Sequence, residues 1–175
     1  KDLKFIGVTG TNGKTSVTYM LKAILERAGK KVGVIGTNQY LIGEKVKPAI
    51  NTTPNPYFLN ELFCEMKEEK CEYVVMEVSS HSLIFENVYG LHYQVAMFTN
   101  LTQDHLDFHG TIEEYYKAKK KLFSMCDKAV INVDDSFGER LFNEIDCKKV
   151  AYSVKNTTDY SAKGVNCMPS QLRYE

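Results

Sequence analysis

The sequence has no excess of charge of either sign, no paired-cysteine motif and no long hydrophobic run, and each absence excludes a class of protein. Its 22 basic and 22 acidic residues cancel, so net charge gives no argument for binding to nucleic acid or to an acidic membrane. No apolar run approaches the roughly 20 residues that a membrane-spanning helix needs. We therefore expect neither nucleic-acid binding nor membrane insertion, and we find no internal repeat.

The five cysteines form no C-x-x-C motif, and their number is odd. This pattern favours free thiols in a reducing cytosol over disulfides or a zinc site, and it predicts a cytoplasmic protein. We expect no signal peptide, because the first residues, KDLKFIGV, already enter a strand. The last residues, SQLRYE, complete no element, so we expect the 175 residues to be a piece of a longer protein.

Hydrophobic periodicity predicts strands that alternate with helices along most of the chain. Such alternation is typical of an α/β fold, here a P-loop type, mostly parallel sheet with helices on both faces. A helix is predicted over 14–28, where helical spacing is kept by Val17, Met20, Leu21, Ile24, Leu25 and Ala28. Asn55 is predicted to cap a further helix, whose inner face is formed by Leu59, Leu62, Phe63 and Met66. From about residue 148 onward, short strand-like stretches follow one another without helices. We therefore predict that residues 148–175 form a short antiparallel, β-rich extension at the C-terminal end.

A glycine-rich stretch, FIGVTGTNGKTS, lies between the first predicted strand and the first predicted helix. Glycines let backbone N–H groups approach a phosphate closely, and the helix N-terminus adds partial positive charge. The usual phosphate-loop motif has a glycine five places before the Gly-Lys pair, where this chain has Val8. The alternative is an ordinary glycine turn, but strand, G-x-x-G-K-T and helix in succession favour phosphate. The loop residues are Gly10, Thr11, Asn12, Gly13, Lys14, Thr15 and Ser16, with Lys14 on phosphate oxygens and Thr15 on Mg²⁺.

Glu77 ends a nearly continuous apolar strand, EYVVMEVSS. A carboxylate at such a place is costly unless a cation meets it, and in P-loop proteins an acid here reaches magnesium. The alternative is a structural pair between Glu77 and a lysine. No G-x-S-x-G motif surrounds Ser79, Ser80 and His81, which argues against a serine hydrolase.

The stretch TNLTQDHLDFHG directly follows another strand and contains Asp104, His105, Asp107 and His109. This polar cluster could ligate a metal or only hydrogen-bond the loop. Its place at the carboxyl end of a strand, the ligand side of an α/β sheet, favours at least one functional group.

Lys119 falls on the apolar stripe of the helix predicted from Ile112 to about Cys126, between Tyr115 and Phe123 at four-residue spacing. A lysine is almost never fully buried unless its charge is paired, so the place of Lys119 on a buried stripe suggests a specific role. Its side chain could instead extend along the apolar surface toward solvent, and spacing alone does not separate the two interpretations.

In order and spacing, GVTGTNGKTSV, NTTP, MEVSSHSL, FTNLTQDHLDFHG and YYKAKKKLF resemble the Mur ligases of bacterial cell-wall synthesis, and among them the ligases that add the third peptide residue. The resemblance covers residues 3 to about 155 and implies the family's central ATP-binding domain. An N-terminal UDP-binding domain and a C-terminal ligase domain would flank it. The family's shorter G-T-x-G-K-[TS] loop explains the misplaced first glycine.

The resemblance also implies roles for individual residues. Glu77 and His105 match metal ligands, Lys14 and His105 are catalytic candidates, and Lys119 matches a lysine that relatives carry as a carbamate. Asn51, Thr52, Thr53 and Ser79 match positions that contact the UDP-MurNAc-dipeptide. Phe85 and Asn87 depart from the pattern, because relatives usually have an arginine where this chain has Asn87.

The implied function is ATP- and Mg²⁺-dependent amide bond formation in peptidoglycan precursor synthesis, in which a diamino acid joins UDP-MurNAc-L-Ala-D-Glu through an acyl phosphate. The sequence leaves the diamino acid open between meso-diaminopimelate and L-lysine. One alternative is a folylpolyglutamate-synthase-like ligase, against which the NTTP and DHLDFHG segments argue. Another is a nucleotide-binding module that is inactive without its flanking domains.

Overall fold

The computed structural model describes residues 2–104, 106–168 and 171–173, and strands and helices alternate along them. The strands are β1 (Lys4–Thr9), β2 (Val32–Ile35), β3 (Gln39–Ile42), β4 (Lys45–Pro48), β5 (Tyr73–Glu77), β6 (Tyr93–Phe98), β7 (Cys126–Asn132), β8 (Lys148–Ser153), β9 (Tyr160–Ser161), β10 (Asn166–Met168) and β11 (Gln171–Arg173). The helices are α1 (Lys14–Arg27), α2 (Pro56–Glu68), α3 (Ser80–Ile84), α4 (Leu106–His109), α5 (Ile112–Lys120) and α6 (Ser136–Glu144), with a 3₁₀ turn at Lys121–Ser124.

The main sheet has the strand order β4-β3-β2-β5-β1-β6-β7-β8-β9. Each neighbouring pair in the part of this order that runs β2-β5-β1-β6-β7-β8-β9 is parallel. At one edge, β3 and β4 pair antiparallel as a hairpin. The mostly parallel sheet predicted from the alternating pattern is confirmed, and its carboxyl edge collects the loops that follow β1, β2, β5 and β6.

Helices cover both faces of the sheet. Side chains that alternate along each strand point to opposite faces, so β5 sends Val75 to one core and Val74 and Met76 to the other. Helix α1 covers the smaller core, while α2, α3, α5 and α6 contribute to the larger one. Among the described residues, no helix is both long and apolar enough to cross a membrane.

Two helices begin where side-chain capping predicts. The Asn55 side chain accepts a hydrogen bond from the backbone N–H of Phe58, and Pro56 occupies the first position of α2. The Thr111 hydroxyl likewise accepts from the N–H of Glu114 at the start of α5. Each cap satisfies an N–H that the helix itself leaves without a partner, so both starts are set by local sequence.

Three features differ from the sequence-based prediction. Among the described residues of the C-terminal segment, β10 and β11 pair antiparallel, while β8 and β9 extend the main sheet in parallel. Helix α6 is the crossover from β7 to β8, and residues 154–159 connect β8 to β9 without a helix. The helix expected to run to about Cys126 ends at Lys120, and the 3₁₀ turn leads into β7. On α1, Met20 and Ile24, expected to face inward, are 63% and 65% exposed.

Candidate active site

The glycine-rich loop is held by the segment that follows β6. The N–H of Thr11 donates to the carbonyl of Asn100 at 2.9 Å, and the N–H of Asn12 donates to the Asn100 side chain at 3.0 Å. The Thr99 hydroxyl donates to the carbonyl of Asn12 at 2.6 Å. Because β1 and β6 are neighbours in the sheet, these bonds fix the loop across the end of the sheet.

The loop conformation requires glycine at two places. Gly10 has φ 146° and Gly13 has φ 86°, values that side chains rarely tolerate. A Cβ at Gly10 would lie 1.9 Å from the Thr99 hydroxyl oxygen. Gly13 is also the N-cap of α1, so this loop delivers the chain directly into a helix N-terminus, an arrangement that favours anions.

Lys14 folds back over this loop. Its Nζ donates to the carbonyl oxygens of Gly10 at 2.9 Å and Thr11 at 2.8 Å. Burial lowers the pKa of Lys14, while the nearby carboxylates of Glu77 and Asp104 oppose that shift. The amine is therefore positioned at the loop, where an arriving phosphate would compete with two carbonyl oxygens for it.

Glu77 is 1% exposed at the end of β5. Its carboxylate accepts hydrogen bonds from the Thr15 hydroxyl at 2.9 Å, the Thr37 hydroxyl at 3.0 Å and the Thr37 N–H at 3.0 Å. Gly36 leaves room for it, since a Cβ there would lie 2.4 Å from Glu77 Oε1. These partners are hydroxyl and amide groups. Among the described residues no lysine forms an ion pair with Glu77, although Lys14 is near enough to interact with it electrostatically.

Lys119 points inward and is 2% exposed, which excludes extension to solvent. Its Nζ donates to the carbonyl oxygen of Gly10 at 2.9 Å and lies 4.4 Å from the centroid of the Tyr115 ring. Burial holds the pKa of Lys119 well below its ordinary value, and repulsion from Lys14 lowers it further, against attraction from Asp104. This environment favours the neutral amine.

The cluster after β6 is only partly brought to the site. Asp104 acts electrostatically on Lys14 and Lys119, whereas Asp107 is exposed. His109 is buried, with Nε2 2.8 Å from the Ser80 hydroxyl, and its ring packs on Tyr115 at 4.7 Å, so it joins α4 to α3 and α5. His105 lies outside the described residues, and its predicted role stays a prediction.

An open cleft of about 580 Å³ adjoins Lys14. The four residues predicted to bind substrate, Asn51, Thr52, Thr53 and Ser79, line it together with Thr37 and His81. The Thr52 hydroxyl lies 3.1 Å from the Thr37 hydroxyl. The polar lining suits a ligand with many hydrogen-bonding groups, next to the end of the cleft where the loop lysine lies.

Two of the four cleft residues hold the site together internally. The buried Thr53 hydroxyl donates to the carbonyl of Glu77 at 2.8 Å and accepts from the N–H of Ser79 at 3.0 Å. The Ser79 hydroxyl accepts from the N–H of Ser82 as the N-cap of α3. Thr53 therefore orders the chain on both sides of Val78, between the predicted metal ligand and the cleft.

Phe85 and Asn87 also line the cleft. Phe85 is 63% exposed, and its ring contacts that of Phe108 at 5.6 Å. Phe108 in turn packs on the His81 ring at 4.1 Å. The lip of the cleft is thus aromatic and neutral at the place where the resemblance expects an arginine.

The sequence predicts that residues 36–39 join the other loops after parallel strands at this edge of the sheet, but it assigns no individual role to Gly36, Thr37 or Thr99. Thr37 lies in that predicted loop, after β2. The roles of Thr99 and Gly36 carry no comparable signal, because they depend on contacts across the sheet.

The comparisons with known proteins agree with this geometry. A family model described as "Mur ligase middle domain" matches residues 8–174. The chain belongs to the Mur ligase family. The family predicted from the motifs is confirmed.

Two curated relatives and one solved structure give the degree of similarity to this Mur ligase middle domain. A protein of Clostridium acetobutylicum named UDP-N-acetylmuramoyl-L-alanyl-D-glutamate--2,6-diaminopimelate ligase 1 is 50% identical over 163 residues, 93% of this chain and 34% of that protein. A ligase of the same name without the numeral, from Caldanaerobacter subterraneus, is 49% identical over 174 residues, 99% of this chain and 36% of that protein. A solved structure of a ligase of that name superposes with a TM-score of 0.88 at 31% identity, covering 99% of this chain and 37% of that one.

The chain spans about a third of the length of the curated relatives it matches. The superposition confirms the predicted α/β fold. Family and fold are therefore established for this chain, whereas the activity named for the relatives belongs to proteins almost three times as long.

Proposed function

We propose that the full-length protein is an ATP-dependent amide ligase that joins 2,6-diaminopimelate to UDP-MurNAc-L-Ala-D-Glu in peptidoglycan precursor synthesis. Residues 1–175 would be its central ATP-binding domain, between a UDP-binding domain and a C-terminal ligase domain. Support comes from family membership and from the names of relatives about 50% identical to it. Those names also favour diaminopimelate over L-lysine.

The observation that carries the proposal is the convergence of Lys14, Lys119 and the Thr15–Glu77 pair on one glycine loop. In the proposal, the loop of residues 10–16 holds the ATP phosphates through backbone N–H groups other than those of Thr11 and Asn12, which donate to Asn100. Lys14 leaves its two carbonyl partners and binds oxygens of the β- and γ-phosphates. Its charge would offset the negative charge of the phosphoryl group in transfer, which positioning and electrostatics dominate.

The residues at this loop fit Mg²⁺, which prefers hard oxygen ligands and keeps several waters or phosphate oxygens. Thr15 and Glu77 offer a hydroxyl and a buried carboxylate within 2.9 Å of each other. Glu77, Thr15, His105 and a carbamate on Lys119 would hold the metal ions. Among described residues, no three histidine, cysteine, aspartate or glutamate side chains cluster as a metal site, which suits an ion that takes much of its shell from ATP and water.

Lys119 is proposed to carry the carbamate. Only a neutral amine adds carbon dioxide, in a step that releases one proton and leaves an anionic N-carboxylate. The burial and the repulsion from Lys14 that lower the pKa of Lys119 favour this reactive form. Conversion to an anion would replace repulsion with attraction to Lys14, which supports the modification in place of a buried ammonium.

The acceptor is proposed to lie in the cleft beside Lys14, on Asn51, Thr52 and Ser79, with Thr53 ordering the last of these. Its carboxylate attacks the γ-phosphorus of ATP, which gives an acyl phosphate and ADP. The amine of diaminopimelate then displaces phosphate and forms the amide. Phe85 and Asn87 make the lip neutral. In this chain, hydroxyl and amide groups of the cleft therefore supply the acceptor contacts that an arginine would supply at the position of Asn87.

The direct test is an ADP-release assay on the full-length protein with UDP-MurNAc-L-Ala-D-Glu and either meso-diaminopimelate or L-lysine, with the product identified by mass spectrometry. We expect diaminopimelate-dependent ADP release and a tripeptide product. We expect residues 1–175 alone to bind ATP–Mg²⁺ weakly and to form no amide, because they contain one third of the ligase. ADP release by the full-length protein at a rate that does not depend on UDP-MurNAc-L-Ala-D-Glu would contradict the proposal.

A further inference from the structure

The thiols of Cys126 and Cys147 lie next to each other at the amino-terminal ends of β7 and β8, whereas the glycine loop lies at the carboxyl ends of the strands. Their sulfur atoms are 3.8 Å apart. Cys126 is the first residue of β7, and Cys147 directly precedes β8, which pairs with β7 in parallel. Two neighbouring strands therefore fix this distance.

We propose that Cys126 and Cys147 are an oxidation site at which hydrogen peroxide or another hydroperoxide closes an intramolecular disulfide. A disulfide brings the sulfurs to about 2.05 Å, so the two sulfur atoms must approach by roughly 2 Å. Two other free thiols, Cys64 and Cys71, have no such sulfur partner among the described residues; Cys64 is exposed and Cys71 is buried.

The accessibility of the two thiols determines which of them reacts with the peroxide first. Cys147 is partly exposed and Cys126 is buried, and burial together with the neighbouring Cys147 raises the pKa of the Cys126 thiol to about 12. Cys147 therefore attacks the peroxide first and becomes a sulfenic acid, with release of water. Cys126 then attacks that sulfur and displaces hydroxide, which takes up the thiol proton. In sum, two thiols and one hydrogen peroxide give one disulfide and two waters.

The disulfide would close a covalent ring that contains β7, α6 and the loop between them. Within this ring, the Asn132 side chain donates to the carbonyl of Thr99 at 2.8 Å, and the Asp135 side chain accepts from the N–H of Leu101 at 3.1 Å. Residues 99–101 belong to the segment that holds the glycine loop. A cross-link of this ring reduces the freedom of the unfolded chain, so the oxidised form should resist unfolding more than the reduced form.

Peptide mapping tests the proposal on the full-length protein. After treatment with hydrogen peroxide, blocking of free thiols and digestion with trypsin without reductant, peptides 122–128 and 141–148 should appear as one disulfide-linked species. Dithiothreitol should separate them. Oxidation should raise Tm by several degrees, and reduction should reverse the rise.

Two variants separate this site from other thiols. Cys147→Ser should abolish both the linked species and the rise in Tm, whereas Cys64→Ser should change neither. Recovery of Cys126 and Cys147 as blocked free thiols, as over-oxidised acids or linked to other cysteines would overturn the proposal. This result does not depend on the nucleotide chemistry, because no ATP or acceptor is present.

Discussion

The side-chain nitrogen of Lys119 lies 2.9 Å from the backbone carbonyl oxygen of Gly10, a residue 109 positions earlier in the chain. The same oxygen also accepts a hydrogen bond from Lys14. One carbonyl oxygen of the glycine loop therefore accepts hydrogen bonds from an amine of α1 and an amine of α5. Burial lowers the pKa of both amines, and repulsion from Lys14 lowers the pKa of the more deeply buried Lys119 further.

Replacement of Lys119 by alanine should abolish most ligase activity while the fold is retained. The variant cannot carry a carbamate, and loss of one preorganised charged group at a phosphoryl-transfer site costs on the order of 10²-fold in kcat. The measurement is acceptor-dependent ADP release by the full-length protein. Lys117→Ala is the matched control, because that lysine is on the same helix but exposed, and it should leave kcat within about twofold.

Removal of the buried amine should also change how stability depends on pH. The pKa of Lys119 is lower in the folded chain than its ordinary value of 10.5, so the unfolded chain binds more protons between these two values. Stability contributed through this group therefore rises with pH across that window and is lowest below it. In metal-free buffer without bicarbonate, the free energy of unfolding of Lys119→Met should exceed that of the parent protein most at the low-pH side.

That difference should shrink as the pH rises toward 10.5. Urea unfolding at several pH values measures it, and the lowered pKa of Lys14 cancels because both proteins contain that residue. A difference that does not change with pH would show that Lys119 titrates normally.

Glu77→Gln should weaken the response to Mg²⁺ more than it weakens the fold. The amide keeps the size of the side chain and can still accept hydrogen bonds from Thr15 and Thr37, but it removes the negative charge. Loss of a group that only orients a metal ligand already costs about 10–100-fold in metal affinity or activity, so loss of a ligand charge should cost at least that much. A titration of ligase rate against Mg²⁺ should show a higher half-saturating concentration, whereas an unchanged titration would assign Glu77 to the fold alone.

Gly10→Ala should destabilise the protein and impair ATP binding, because the new Cβ would meet the Thr99 hydroxyl oxygen at 1.9 Å in a backbone conformation with φ 146°. Strain of this kind costs about 1–3 kcal/mol. Gly90→Ala is the matched control: Gly90 also has a positive φ, 81°, but its Cβ would meet nothing within 4 Å. Thermal unfolding should show the larger loss at Gly10, and an equal loss would mean that the contact with Thr99 relaxes freely.

Local signals predicted much of the fold. The cap at Asn55 and the spacing of Leu59, Leu62, Phe63 and Met66 were sufficient to place α2 and its inner face. The apolar run before Glu77 was sufficient to place a central strand. The same reasoning placed α1 correctly at Lys14–Arg27, but Met20 and Ile24 fit its helical spacing and are exposed, because periodicity identifies an apolar stripe and does not say which surface covers it.

The sequence predicted which loops form the site but not the hydrogen bonds that connect them. The rule that parallel strands gather their loops at one edge brought Lys14 and Glu77 together correctly, whereas Lys119, on α5, was assigned to the site only through the family resemblance. It could not indicate that Thr53 would be turned inward to join Glu77 and Ser79. That role depends on where a hydroxyl points after the chain is folded, which no spacing in the sequence encodes.

The most direct test of the central claim follows oxygen atoms from the acceptor. UDP-MurNAc-L-Ala-D-Glu with ¹⁸O in both carboxylates of its glutamyl residue is incubated with the full-length protein, ATP, Mg²⁺ and diaminopimelate, and the released phosphate is analysed by mass spectrometry. An acyl phosphate formed at this loop transfers one ¹⁸O atom to each phosphate. Phosphate that contains no ¹⁸O, while amide is formed at the same rate, would contradict the account.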